Sequence, residues 1–86
     1  MNDQYRAELR VDYVHRLSSR SLLLLSGPHS GQALTVGDPV TILTPAGDAI
    51  RTAVKTIEFH NRPGTTTVGV DATVGEVPVG SVLRLP

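Results

Sequence analysis

Three histidines, His15, His29 and His60, are the side chains best suited by type to bind a metal or move a proton. Imidazole ligands act together when they cluster at short, regular spacings with one another or with carboxylates. These three lie far apart in the chain, and no carboxylate stands at a matching offset, so no metal site is expected. The run Ser26-Gly27-Pro28-His29-Ser30-Gly31 places two hydroxyls beside an imidazole. A serine nucleophile needs a base within hydrogen-bond reach and a third group to orient that base, and the glycines and proline read as a loop. No pair of carboxylates is spaced for acid–base work. There is no cysteine, which excludes disulfides, thiolate metal sites and thiol catalysis. The chain therefore reads as non-enzymatic, with no cofactor.

Binding chemistry is a different matter. Arg16 and Arg20 flank one turn and Arg62 lies in another, so the three form a candidate basic patch for phosphate, against the plainer reading of single surface arginines. The formal net charge is zero. Proteins that hold nucleic acid through its phosphates usually carry a basic excess, so sequence-independent binding is not expected. Tyr5, Tyr13 and Phe59 are the aromatic residues available for stacking on a base, and Tyr13 and Phe59 read as core.

The elements that must position these residues read as strands. Ala7, Leu9, Val11 and Tyr13 alternate with Glu8, Arg10 and Asp12, the period of a half-buried strand. Leu17 to Arg20 is a turn. Leu22 to Leu25 reads as a strand buried on both faces, and pairing should stop at Pro28, which cannot donate to a ladder. Residues 29–35 form a loop or a short irregular strand. Val36-Gly37-Asp38-Pro39 turns the chain into a strand at Val40 to Leu43, and Pro45-Ala46-Gly47-Asp48 is a strong turn. Ile50 to Phe59 is a long strand whose apolar phase shifts between Val54 and Ile57, which predicts a bulge near Lys55 and Thr56. After a turn at Asn61 to Gly64, Val68, Val70, Ala72 and Val74 alternate. Residues 76–80 turn the chain, and Ser81 to Leu85 closes it.

Helical periodicity is absent throughout, and the strands recur about every ten residues, the rhythm of a sandwich or barrel. With 86 residues the chain reads as one domain, the barrel proper spanning about 6–86. A domain of this size buries roughly 60–65% of the surface its unfolded chain exposes, which leaves little material to shape a deep pocket. Closure into a barrel suits it, because closure removes exposed strand edges. The polar first ten residues carry no signal-peptide pattern, and the apolar run Leu22 to Leu25 is too short to span a bilayer. A cytoplasmic location and no membrane association are expected.

The order of these segments resembles the second domain of translational GTPases such as elongation factor Tu. Gly31 to Ile42, reading Gly-Gln-Ala-Leu-Thr-Val-Gly-Asp-Pro-Val-Thr-Ile, is similar to that domain's glycine, spacer, Val-Gly-Asp and apolar strand. Leu9, Val11 and Val14 match its first strand, Val54 to His60 its long middle strand, and Val68-Gly69-Val70 with Gly80-Ser81-Val82-Leu83 its closing pair. The resemblance covers residues 6–86 and implies a closed six-stranded antiparallel β-barrel. It departs from the family at Ser19-Arg20-Ser21, where the family turn is glycine-rich, and at Pro28-His29, where the family strand runs on. The GTPase domain has no counterpart: Lys55, the only lysine, lies in a strand with no Gly-x-x-x-x-Gly-Lys loop, so GTP binding by this chain alone is not expected.

In the family the middle strand helps hold the aminoacyl end of tRNA. The positions that match are Ile57-Glu58-Phe59-His60, so the resemblance implies that Glu58 and His60 contribute to a small-ligand or RNA-end site, with Thr67 standing where the family has an Asn. The plain alternative is a solvated strand face. The chain thus reads as a stand-alone docking barrel for a protein or an RNA end. Two other roles fit the same fold: an accessory specificity domain of a separately encoded enzyme, and a small structural oligomer.

Overall fold

The computed structural model describes residues 5–58 and 64–86. Eight strands run through them: β1 (Ala7–Arg10), β2 (Tyr13–Leu17), β3 (Leu22–Gly31), β4 (Pro39–Leu43), β5 (Ala49–Ala53), β6 (Thr56–Glu58), β7 (Thr65–Asp71) and β8 (Val82–Leu85). Among the described residues the only other regular elements are two short 3-10 turns, Ser18–Arg20 and Ala72–Val74. All strand pairs are antiparallel, in the order β5-β4-β8-β1-β3-β7-β6, with β2 added beside β3. The sheet is curled, so one face is enclosed.

Two bends produce the curl. The first separates β1 from β2. Leu9 lies opposite His29, and Tyr13 lies opposite Ser26, so three residues, Arg10 to Asp12, face only Gly27 and Pro28. That extra residue is a β-bulge, which bends the strand and reverses its in–out phase. Gly27 has to be glycine here: a Cβ would overlap the Arg10 carbonyl oxygen and lie 2.8 Å from its carbon. The second bend is at Val54 and Lys55. The segment before it pairs with β4 and the segment after it with β7. Val54 donates to Asp38 O at 3.0 Å, while Lys55 donates to Gly69 O at 2.8 Å. The two ends of the sheet are therefore consecutive in the chain.

The enclosed face is apolar. Leu9, Leu25, Ile42, Val68, Val70, Leu83 and Leu85 are fully buried, each side chain contributing about 1.5–3 kcal/mol of transfer free energy. Cross-strand rows order them: Leu9, Leu83, Ile42 and Ile50 face one another across four strands, as do Val14, Leu25, Val68 and Ile57.

Four local expectations are corrected. Tyr13 is not core but 59% exposed, because the bulge flips the phase set by Ala7, Leu9 and Val11 and turns Val14 inward instead. Pairing does not stop at Pro28, which lies inside β3 opposite Thr65. His29 N–H donates across to Gly64, so the imide nitrogen of Pro28 faces the other way, into the bulge, where no ladder bond is required of it. Leu24 is half-buried and outward, so the Leu22 to Leu25 run is not covered on both faces. The strand through Val68 ends at Asp71 rather than Val74: the Asp71 carboxylate accepts from Thr73 N at 2.9 Å and starts a 3-10 turn.

The predicted turns take the hydrogen bonds their residues allow. Asp38 Oδ2 accepts from Thr35 N at 2.8 Å, and Thr44 Oγ1 accepts from Asp48 N at 3.0 Å. The glycines between them, Gly37 and Gly47, both have φ of 96°, where a side chain would be strained.

Candidate functional site

The outward face of β2, β3, β7 and β6 carries the residues of interest. Tyr13 lies opposite Ser26, Ser26 opposite Thr67, and Thr67 opposite Glu58. A second row runs His15, Leu24, Gly69, Thr56. Directly paired residues on one sheet face have Cβ atoms about 5 Å apart, so the two rows share one surface. The side chains of Tyr13, His15, Leu24, Ser26, Thr67 and Glu58 line a hollow of about 230 Å³.

Gly69 occupies the middle of the second row, where Thr56 and Leu24 already fill the space that a side chain would take. A Cβ there would overlap Thr56 Oγ1 and approach Leu24 Cδ2 to 3.1 Å. Thr56 Oγ1 is buried beside it with no hydrogen-bond partner among the described residues. The floor is set by the hydroxyls of Ser26 and Thr67, 2.6 Å apart. One wall is the pair Tyr13 and His15, whose rings lie nearly parallel (8°) with centroids 6.5 Å apart. The opposite wall is Glu58, half-buried at the end of β6.

Chemically, this is an exposed aromatic platform beside two hydroxyls and a carboxylate. Ser26 and Thr67 can each donate or accept, and an ionised Glu58 accepts only. A flat ring with peripheral N–H or O–H groups suits such a surface.

Of the six candidate site residues, Glu58 and Thr67 are brought together as adjacent cross-strand partners. His60 lies outside the described residues, as does Arg62. Arg16 lies in β2 and Arg20 in the 3-10 turn that follows it. Arg16 projects opposite to the Tyr13–His15 wall and reaches Gly75 O at 3.4 Å, and its hollow is shared with Glu76, Val77 and Val79. Arg20 ends the first 3-10 turn, before Ser21 in the left-handed conformation at φ 52°.

The histidine and serine candidates are separated by the strand's alternation. Ser26 points outward, whereas His29 belongs to the inner face and closes one end of the core. His29 Nε2 donates to Gln32 O at 2.9 Å, since a carbonyl can only accept, and Nδ1 shares a hydrogen bond with Thr66 Oγ1 at 3.1 Å. No group of three or more His, Cys, Asp or Glu among the described residues is placed to hold a metal. No helix among them is long and apolar enough to cross a membrane.

Tyr13, His15 and Ser26 were weighed for other chemistry and set aside in the sequence, Leu24 was not considered, and none of the four was assigned to this surface. The signal that could have found them is the count of residues between Leu9 and Tyr13 set against that between Ser26 and His29, which reveals the bulge only once the strands are aligned. No protein-family model matches the chain, and neither a curated protein nor a solved structure does.

Proposed function

We propose that the chain is a non-catalytic docking barrel that receives the end of a single-stranded RNA in the Tyr13–Glu58 hollow, with a translation-associated, cytoplasmic role. The observation that carries this reading is the hollow itself, where an exposed aromatic pair, two hydroxyls and a carboxylate meet on one sheet face. A terminal base stacks on Tyr13, and ribose hydroxyls or exocyclic amines donate to Glu58. The resemblance to the second domain of translational GTPases implies the same use of Glu58. It also implies a closed six-stranded barrel. Counting β1 with β2 and β5 with β6 as single bent strands gives six, and the hydrogen bond from Lys55 N to Gly69 O supports closure at the second bend.

The test is fluorescence anisotropy with a short labelled RNA bearing a free 3′ end. Stacking contributes about 1–3 kcal/mol per base, so Tyr13→Ala should weaken binding roughly tenfold or more, and Glu58→Gln should weaken it less. Neither lysine nor arginine is among the described residues lining the hollow, so the salt dependence should be shallow compared with phosphate-driven binding. Absence of binding at low salt, or binding indifferent to both substitutions, would sink the RNA reading.

One observation favours a second reading, docking of a protein partner. β2 pairs only with β3 among the described strands, so its far edge offers backbone groups to an added strand. An accessory domain of a separate enzyme, or a small oligomer, would use that edge. Recovery of one stoichiometric partner in a pull-down supports the former, and a dimer mass by light scattering supports the latter.

A further inference from the structure

The other outward face, formed by β5, β4, β8 and β1, has its own cross-strand row: Arg51 opposite Thr41, Thr41 opposite Arg84, Arg84 opposite Glu8. Arg51 and Arg84 are thus two strands apart, about 10 Å at the usual strand spacing, with the Thr41 hydroxyl between them. Both guanidiniums border a hollow of about 460 Å³. Its remaining walls are mainly apolar, with Pro39, Leu43 and Pro86 among them and the ring of Tyr5 at the rim.

Arg84 is held in place from two sides. Its Nε donates to Glu8 Oε2 at 3.0 Å, its Nη1 donates to the Tyr5 hydroxyl at 3.1 Å, and its guanidinium carbon lies 4.3 Å from the Tyr5 ring centroid. The Nη2 edge has no partner among the described residues. A guanidinium already ordered in this way forms further hydrogen bonds with little additional loss of side-chain freedom. Glu8 offsets its charge, but Arg51 is exposed and has no carboxylate partner among the described residues. The hollow therefore combines one uncompensated cation, one fixed donor edge, a hydroxyl and an apolar wall.

We infer that this hollow binds a small organic anion, with its carboxylate or phosphate head between Arg51 and Arg84 and its apolar body against Pro39, Leu43 and Pro86. Guanidiniums recognise both headgroups through paired N–H donors, and the apolar wall selects against a bare inorganic ion. The site lies on a different face from the Tyr13–Glu58 hollow and stands independently of the function proposed for that hollow.

Amide-resolved NMR titration tests it, using phenyl phosphate, benzoate, inorganic phosphate and benzyl alcohol as separate probes. The expected result is saturable shifts at Thr41, Arg51, Thr52 and Arg84 with phenyl phosphate or benzoate, the stronger of the two naming the headgroup. Inorganic phosphate and benzyl alcohol should each bind at least tenfold more weakly. Arg51→Gln, a change on an exposed strand position, should weaken binding of the organic anion about tenfold or more, the scale of a lost charge-assisted hydrogen bond. Equal response to inorganic phosphate overturns the apolar half of the inference. Equal response to benzyl alcohol, or an unchanged affinity in Arg51→Gln, overturns the anionic half. No shift with any probe overturns both.

Discussion

The two outward faces of the sheet are each organised by one row of paired polar residues, and they are built in opposite ways. On the β5–β4–β8–β1 side one arginine is matched and one is not: Arg84 is tied to Glu8 and stacked on Tyr5, while Arg51 has no carboxylate partner among the described residues. The Glu8 hydrogen bond also raises the Arg84 pKa above its ordinary value. On the β2–β3–β7–β6 side the row Tyr13, Ser26, Thr67, Glu58 has a single charged member, and neither lysine nor arginine is among the described lining residues. One face is stiffened by ionic and cation–π contacts. The other is a recess between an exposed aromatic pair and a carboxylate, floored by two hydroxyls. A polar ladder can therefore serve to fix a side chain or to floor a recess.

The residue shared by both faces should give the largest effect when changed. Gly27 sits at the bulge that joins β1 on one face to β2 on the other. In Gly27→Ala the new Cβ meets backbone, the Arg10 carbonyl, with Asp12 N only 3.2 Å away. Backbone cannot rotate aside as a side chain can, so the cost should reach or exceed the roughly 1–3 kcal/mol typical of overpacking. Urea unfolding should show a lower midpoint, and the amide shifts should change on both faces. Changes confined to one face would mean that the bulge does not couple them.

Gly69→Ala sharpens the contrast at a smaller cost. Its Cβ would meet side chains, Thr56 Oγ1 and Leu24 Cδ2, which can shift. Replacing a strand glycine also recovers roughly 0.4–1 kcal/mol of unfolded-chain entropy. The net destabilisation should be about 1 kcal/mol. The larger consequence is local: Leu24, which lines the hollow, must shift, so RNA affinity should fall while the response of the Arg51–Arg84 hollow to phenyl phosphate stays unchanged. Loss of both responses would show that the variant perturbs the whole sheet rather than one recess.

How much of this could be read from the chain depends on what sets each feature. The turns at Gly37–Asp38 and Gly47–Asp48 were legible because local backbone chemistry alone requires those residues. The inward rows were legible wherever alternation ran unbroken, as through Val68 and Val70. The bend at Val54 and Lys55 was visible as a phase shift within one segment. The bulge at Arg10 to Asp12 was not, since the apolar alternation Leu9, Val11, Tyr13 continues through it in sequence, and the extra residue exists only relative to β3. Misreading that register put Tyr13 in the core, although it lines the hollow. Glu58 and Thr67 were named through resemblance, and their adjacency came from the β6–β7 register.

Glu8→Gln tests how much the β5–β4–β8–β1 face owes to its ion pair. The two side chains are 35% and 28% exposed, and pairs this open contribute about 0.2–1 kcal/mol. The substitution should lower the melting temperature by only a few degrees at low salt, and the difference should shrink in 0.5 M salt, flagged by a Debye length of roughly 4 Å. A difference that persists at high salt would assign the stabilisation to the contact of the ordered Arg84 guanidinium with the Tyr5 ring. Tyr5→Leu should then reproduce it.

The smallest effect is expected at the far end of β7, where a carboxylate is held by backbone rather than by a cation. The hydrogen bond from Thr73 N lowers the Asp71 pKa below its ordinary 3.8, with the Thr73 side chain and the charge of Lys55 adding to the shift. The unfolded chain takes up this proton first as pH falls. Stability linked to Asp71 is therefore present above pH 3.8 and is lost as pH drops through the lower folded-state value. Asp71→Asn keeps an oxygen to accept from Thr73 N but removes the titration. Melting curves recorded in this acid range should show the native chain losing stability more steeply than the variant, while the two converge in slope near neutrality. Parallel curves throughout would mean that the Asp71 cap persists in the unfolded chain, and that the 3-10 turn at Ala72–Val74 is a local preference of the sequence rather than a product of the sheet.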